Sequence, residues 1–210
     1  MIRLFILAYA LLLLPSPLLA TDNDTLLDYI PSGRITRFEG PIKYWIGGKG
    51  RLEGQYYIDS VMAELRRIIP HVSMAQTSSI GSANLRIHLT DSHEEWEQAI
   101  LKNTSDQAGW QEVGHLIRGF TGIMSGSDGR IKGSDVILHL NFQTSGGQKL
   151  WIVRHELMHA LGIMTHPTRT ADTVLNSRQP QFEKNGLFSD SDIFVLKTIY
   201  RPDLTPGSPW

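Results

Sequence analysis

The 210-residue chain has no cysteine. That absence excludes a disulfide scaffold, a cysteine-ligated zinc site, a thiol nucleophile and a lipid-modified N-terminal cysteine. Net charge is also nearly lacking, at −1 with histidines neutral. A bulk-basic nucleic-acid binder is excluded on that ground, and nucleic acid is not an expected partner. Beyond residue 20 there is no apolar run long enough to span a membrane. There is no internal repeat and no low-complexity tract. A disordered acidic chain does not fit either, because apolar residues and tryptophans run throughout.

What is present begins with residues 1–20, MIRLFILAYALLLLPSPLLA. Arg3 supplies a short positive region, and Leu4 to Leu14 form an apolar stretch of eleven residues. Pro15 and Pro17 break any helix there, and Ala20 offers a small residue for cleavage. The pattern is that of a secretory signal peptide removed after about Ala20. A membrane anchor would want roughly twenty uninterrupted apolar residues. Residues 21–210 are then a single domain, secreted or periplasmic, with no membrane association after cleavage. Without Arg3, 19 basic side chains face 21 acidic ones, a charge of −2.

Along this domain, Thr21 to Gly33 reads as a loose polar arm. Ile42, Tyr44 and Ile46 alternate as in a strand within residues 34–47. Tyr57, Val61, Leu65 and Ile68 carry the spacing of an amphipathic helix over 56–69, with Pro70 at its end. Leu85, Ile87 and Leu89 predict a second strand. Ser92 and Glu95 have capping-box spacing ahead of a helix to about Leu101. Residues 116–124 and 134–142 read as strands joined by the Gly-rich turn 125–133. Residues 148–161 read as a helix and 167–187 as irregular. A last helix is capped by Ser189 or Asp190 and stopped by Pro202. This order predicts one α/β (α+β) domain with a small mixed sheet layered against helices.

The chemistry-bearing stretch is Arg154-His155-Glu156-Leu157-Met158-His159-Ala160-Leu161-Gly162-Ile163-Met164-Thr165-His166. Four residues advance a helix by little more than one turn, so His155 and His159 share a face. Their imidazoles can bind one Zn²⁺. Glu156 projects beside the metal and is suited to accept a proton from a zinc-activated water. In a chain of this composition HExxH arises by chance about 1% of the time, and about 0.1% with Gly162 added. A solvated charged face fits poorly, because Leu150, Trp151, Val153, Leu157 and Leu161 make the helix apolar on most sides. Gly162 can take a positive φ and end the helix. The chain can then present His166, held extended by Pro167. Asp172 is the fallback for a third ligand, and Glu183 would be the choice if the site resembles that of gluzincin metalloproteases.

HELMHALGIMTHP resembles the zinc motif of metzincin metalloproteases, HExxHxxGxxH. The resemblance implies a zincin-like fold with an HExxH active-site helix and one zinc per chain. The family's third ligand falls at Thr165 in this numbering. The histidine comes one residue later, at His166. Asp172 to Asn176 is similar to the methionine turn beneath the metal, with Leu175 in the methionine slot and Ser177 where some members carry a tyrosine. Residues 34–46, 83–89 and 200–207 are also similar to an uncharacterised bacterial group of secreted zincin-like proteins. The implied function is a zinc metalloendopeptidase acting on a peptide or protein substrate. His155, His159 and His166 would hold zinc, and Glu156 would be the general base. A non-catalytic zinc-binding or interaction domain on the same fold is the alternative. His139 stands out among the remaining histidines, because its strand leads toward the motif helix.

Overall fold

Apolar residues on alternate positions need one buried face, and a sheet covered by helices supplies it. The computed structural model of the chain describes residues 18–101, 119–142, 145–170, 172–176 and 186–210. Five strands form one sheet: β1 (Ile42–Gly47), β2 (Met74–Gln76), β3 (Leu85–Leu89), β4 (Gly119–Ser125) and β5 (Ile131–Leu138). Their spatial order is β2-β1-β3-β5-β4. The pairs β1–β2, β1–β3 and β3–β5 are parallel, and β4 pairs antiparallel to β5 at one edge. Ile42, Tyr44, Ile46, Leu85, Ile87, Leu89, Val136 and Leu138 point into the main core. The other face carries the Arg86–Asp135 pair across β3 and β5, with nitrogen–oxygen distances of 2.7 and 2.5 Å.

Five helices are described: α1 (Leu18–Tyr29), α2 (Arg51–Ile68), α3 (His93–Leu101), α4 (Gly146–Ala160) and α5 (Asp190–Ile199). Among them, α2 buries Ile58, Val61, Met62 and Leu65 and packs against α4 and the sheet. The inward stripe thus includes Ile58 and Met62, while Tyr57 and Ile68 lie at its half-buried margins. Ser92 Oγ accepts from Glu95 N at 3.2 Å, as the capping spacing predicts. On the opposite side of the sheet, Trp96 of α3 packs on Ile137 of β5 in a small second cluster. None of the described helices is long and apolar enough to cross a membrane.

Three elements depart from the sequence expectation, the first being the strand expected over 134–142, which runs Ile131–Leu138 and gives way to a short 3₁₀ turn at Leu140–Phe142. The segment expected to be a loose arm is helical through Tyr29, and Leu26, Tyr29 and Ile30 are buried against the core. Its inward residues are too few and too polar in setting to show a helical stripe by themselves. The short strand β2 spans three residues, below the length at which alternation can be read. Residues 116–118 of the strand expected over 116–124, Trp110, His115, Ser177 and Glu183 lie outside the described residues, as do residues 1–17 of the expected signal peptide.

Helix α4 carries His155, Glu156 and His159 and is held from several sides. Ser145 and Gln148 form a reciprocal capping box at its start, both bonds at 3.2 Å. Arg154, 1% exposed, forks onto Glu64 of α2 at 2.8 and 2.7 Å and donates to Gly186 O at 2.5 Å. At its other end Gly162 takes φ +110°, and a Cβ there would lie 1.9 Å from Thr36 O. The turn therefore needs both the left-handed backbone and the missing side chain.

Candidate metal centre

His155 and His159 stand one turn apart on α4, and Gly162 turns the chain so that His166 faces them. The Nε2 atoms of His155 and His159 are 3.2 Å apart, and those of His155 and His166 are 3.1 Å apart. All three ligand atoms lie within 4.8 Å of one another. Tetrahedral zinc with Zn–N bonds of about 2.0–2.1 Å separates two nitrogen ligands by about 3.3 Å. The observed spacing is that of nitrogens sharing one ion.

The tautomers agree. His155 Nδ1 lies 2.9 Å from Val174 O, and His159 Nδ1 lies 2.6 Å from Ile163 O. A carbonyl only accepts, so each Nδ1 carries the proton and each Nε2 turns a lone pair inward. Lone pairs converging this closely repel unless a cation lies between them. Burial lowers the basicity of His155 well below the ordinary histidine range, aided by the nearby His159, and brings His159 down to about 4. Burial also lowers His166. All three are neutral at pH 7, the form a metal requires. These side chains can hold a metal ion.

Glu156 does not join the triad. It is 4% exposed and lies beneath the edge strand β4. Thr121 Oγ1 donates to its carboxylate at 2.7 Å and approaches its main-chain oxygen at 3.0 Å. A Cβ on Gly119 would fall 2.6 Å from Glu156 Cγ, so β4 can lie this close only with glycine there. Burial pushes the Glu156 carboxyl up to about 7, with the Thr121 hydroxyl pulling the other way. A carboxyl balanced near neutrality can both take and return a proton.

Behind the triad lies a second layer. The Val174 carbonyl that receives His155 also accepts Trp151 Nε1–H at 2.9 Å. Val174 N donates to Asp192 at 3.0 Å, and Asp192 is fully buried in the first turn of α5. Asp192 further accepts from Tyr29 at 2.9 Å, Thr173 at 2.6 Å, and Ser189 N and Oγ at 3.0 Å each. Leu175, the residue in the methionine slot, is fully buried in this loop. Val174 and Thr173 beside it are what touch the ligand and its support.

Of the residues singled out from sequence, His155, His159 and His166 come together, and Glu156 lies beside His155 on the helix. Asp172 is exposed and stands outside the group. His139 is buried just past β5 and is not part of it. His88 packs edge-on against Trp45 at 5.2 Å. Sequence reading missed Thr121, Asp192 and Asp28. Only Asp192 left a local trace, its three-residue spacing from the capping Ser189.

No curated protein matches the chain. Residues 21–209 match a family described as a protein of unknown function (DUF2927), which covers nearly the whole length, and the chain belongs to that family.

Proposed function

We propose that this chain is a secreted or periplasmic zinc-dependent metallopeptidase of metzincin-like fold. The observation that carries the reading is the convergence of three Nε2 atoms, two of them with lone pairs turned inward by Nδ1–H bonds to carbonyls, beside a buried glutamate. All-histidine ligation, with nitrogens spaced for a tetrahedron, suits Zn²⁺. When bound, zinc supplies a Lewis acid that makes a neutral-pH nucleophile of water and polarises a carbonyl. Glu156 takes the water's proton and later delivers it to the leaving amine. Thr121 holds that carboxylate in place. Among the described residues no strand pairs with the outer edge of β4, which passes over Glu156. An extended peptide can add there as a further strand, its main chain hydrogen-bonded along the edge. Arg3 and the apolar stretch after it support export, and the family match begins at residue 21.

A closed structural zinc site would want a fourth protein ligand and has no use for a buried glutamate. Among the described residues no fourth ligand joins the triad. The catalytic reading is therefore preferred to a zinc-binding domain without activity. Metal analysis of the full-length export product should find close to one zinc per chain, and His155→Ala should abolish it. Glu156→Gln should keep the zinc and lose peptide cleavage. Wild-type protein loaded with zinc yet inert on a broad peptide library would overturn the peptidase assignment.

A further inference from the structure

His166 differs from the other two members of the triad. It lies outside the helix, it is the most exposed of the three, and among the described residues nothing hydrogen-bonds to its Nδ1. Its direction depends on where the loop after Gly162 is held. Within residues 164–170, the main-chain N–H groups of Thr168, Arg169 and Thr170 all donate to one carboxylate, that of Asp28 in α1. The distances are 3.0, 3.0 and 2.7 Å. Thr168 Oγ1 adds a longer contact at 3.4 Å. Among the described residues, no other hydrogen bond reaches the main chain of this stretch. Asp28 is 8% exposed, so the carboxylate is enclosed by the nest it fills.

We propose that Asp28 is a positioning residue for the third metal ligand, acting through the 168–170 main chain on His166. The proposal rests on the metal-centre reading above. Pro167 makes the link short and stiff, since its ring fixes φ and it is buried. The adjacent Tyr29 extends the brace. Its hydroxyl donates to Asp192, Asp192 accepts from Val174 N, and the Val174 carbonyl orients His155. One turn of α1 thus steadies the loops behind two of the three ligands. Supporting groups of this kind typically set metal affinity within a factor of 10–100.

The test is a zinc-affinity cycle on the full-length export product, read by competition with a chromophoric chelator. The proteins are wild type, Asp28→Ala, Asp28→Asn, His166→Ala and the Asp28→Ala/His166→Ala double variant. Circular dichroism and metal-free melting accompany each. Asp28→Ala should weaken zinc binding about 10- to 100-fold. In the His166→Ala background the same change should cost less than about twofold, because the ligand it positions is gone. Asp28→Asn, which keeps the shape and presents an amide to the N–H donors, should also lose affinity. Wild type that binds no zinc would remove the metal reading and this proposal with it. Wild type that binds zinc through His166, with Asp28 variants equal to it, would overturn the proposal alone. Equal losses in both backgrounds, or variants that are unfolded, would make Asp28 a general stability residue and overturn it as well.

Discussion

At the scale of single residues, one hydroxyl and one carboxylate decide more than their local sequence suggests. Thr121 Oγ1 is the side-chain donor to Glu156, at 2.7 Å in a buried setting. Thr121→Val keeps the shape and removes the donor, so burial acts unopposed and the Glu156 carboxyl rises above about 7. Peptide turnover should fall about tenfold with KM little changed, and the acid limb of the kcat profile should move to higher pH. Thr121→Ser should restore both. Asp192 accepts five hydrogen bonds with no exposure, so Asp192→Asn turns an amide toward groups that donate. Thermal or urea unfolding should show a loss of about 2–4 kcal/mol. Neither residue was legible beforehand. Thr121 meets Glu156 across 35 positions and Asp192 meets Val174 across 18, and contact at such range leaves no periodic trace.

At the scale of elements, helix α4 is defined by its ends and by its tie to α2. Its C-terminal end was readable, because a helix-ending glycine is local chemistry; the Ser145–Gln148 capping box at its start was not read. Gly162→Ala would place a methyl 1.9 Å from Thr36 O at φ +110°. Urea titration should show about 2–4 kcal/mol of destabilisation, with a weakened metal site because the turn to His166 shifts. The tie to α2 was not readable. Glu64 lies 90 positions from Arg154 and shares with it a fork of two bonds at 2.7–2.8 Å. Glu64→Ala leaves the guanidinium of Arg154 buried without its partner, and unfolding should show a cost of about 3 kcal/mol. The helix α1 escaped notice for a different reason. Its inward residues Leu26, Tyr29 and Ile30 acquire meaning only against α5 and the loops it braces.

At the scale of the whole molecule, folding, metal and pH are linked. Free zinc at 100 times its dissociation constant should add about 2.7 kcal/mol to stability. Chelation should therefore lower the melting temperature, and zinc should restore it. In the metal-free chain His159 titrates near 4 when folded against an ordinary 6.5, and burial holds His155 well below the ordinary histidine range as well. Between those values the unfolded chain binds protons that the folded chain does not. The stability these neutral rings allow is complete above about pH 6.5 and is lost as pH falls toward 4. Glu156 runs the other way, its raised value giving stability below 4.5 that is lost as pH rises through about 7. The histidines outnumber it, so the metal-free protein should melt lower at pH 5 than at pH 7 by calorimetry.

The amino-acid sequence by itself determined the α/β class, four of the five strands and the HExxH helix. It also determined two ligands one turn apart and a glycine that ends their helix. Each of these is written in contacts within about one turn or one strand, where spacing translates directly into geometry. The third ligand was expected at His166, with Asp172 and Glu183 as alternatives, because the path of a loop after a helix is not periodic. Tertiary structure brought His166 to 3.1 Å from His155 and left Asp172 outside. It alone brought Asp28 across 140 positions to the loop behind His166, and Gly119 and Thr121 over Glu156. Ligand identity is a matter of local spacing. Ligand placement is a matter of what the rest of the chain packs behind it, and that is settled only when distant surfaces meet.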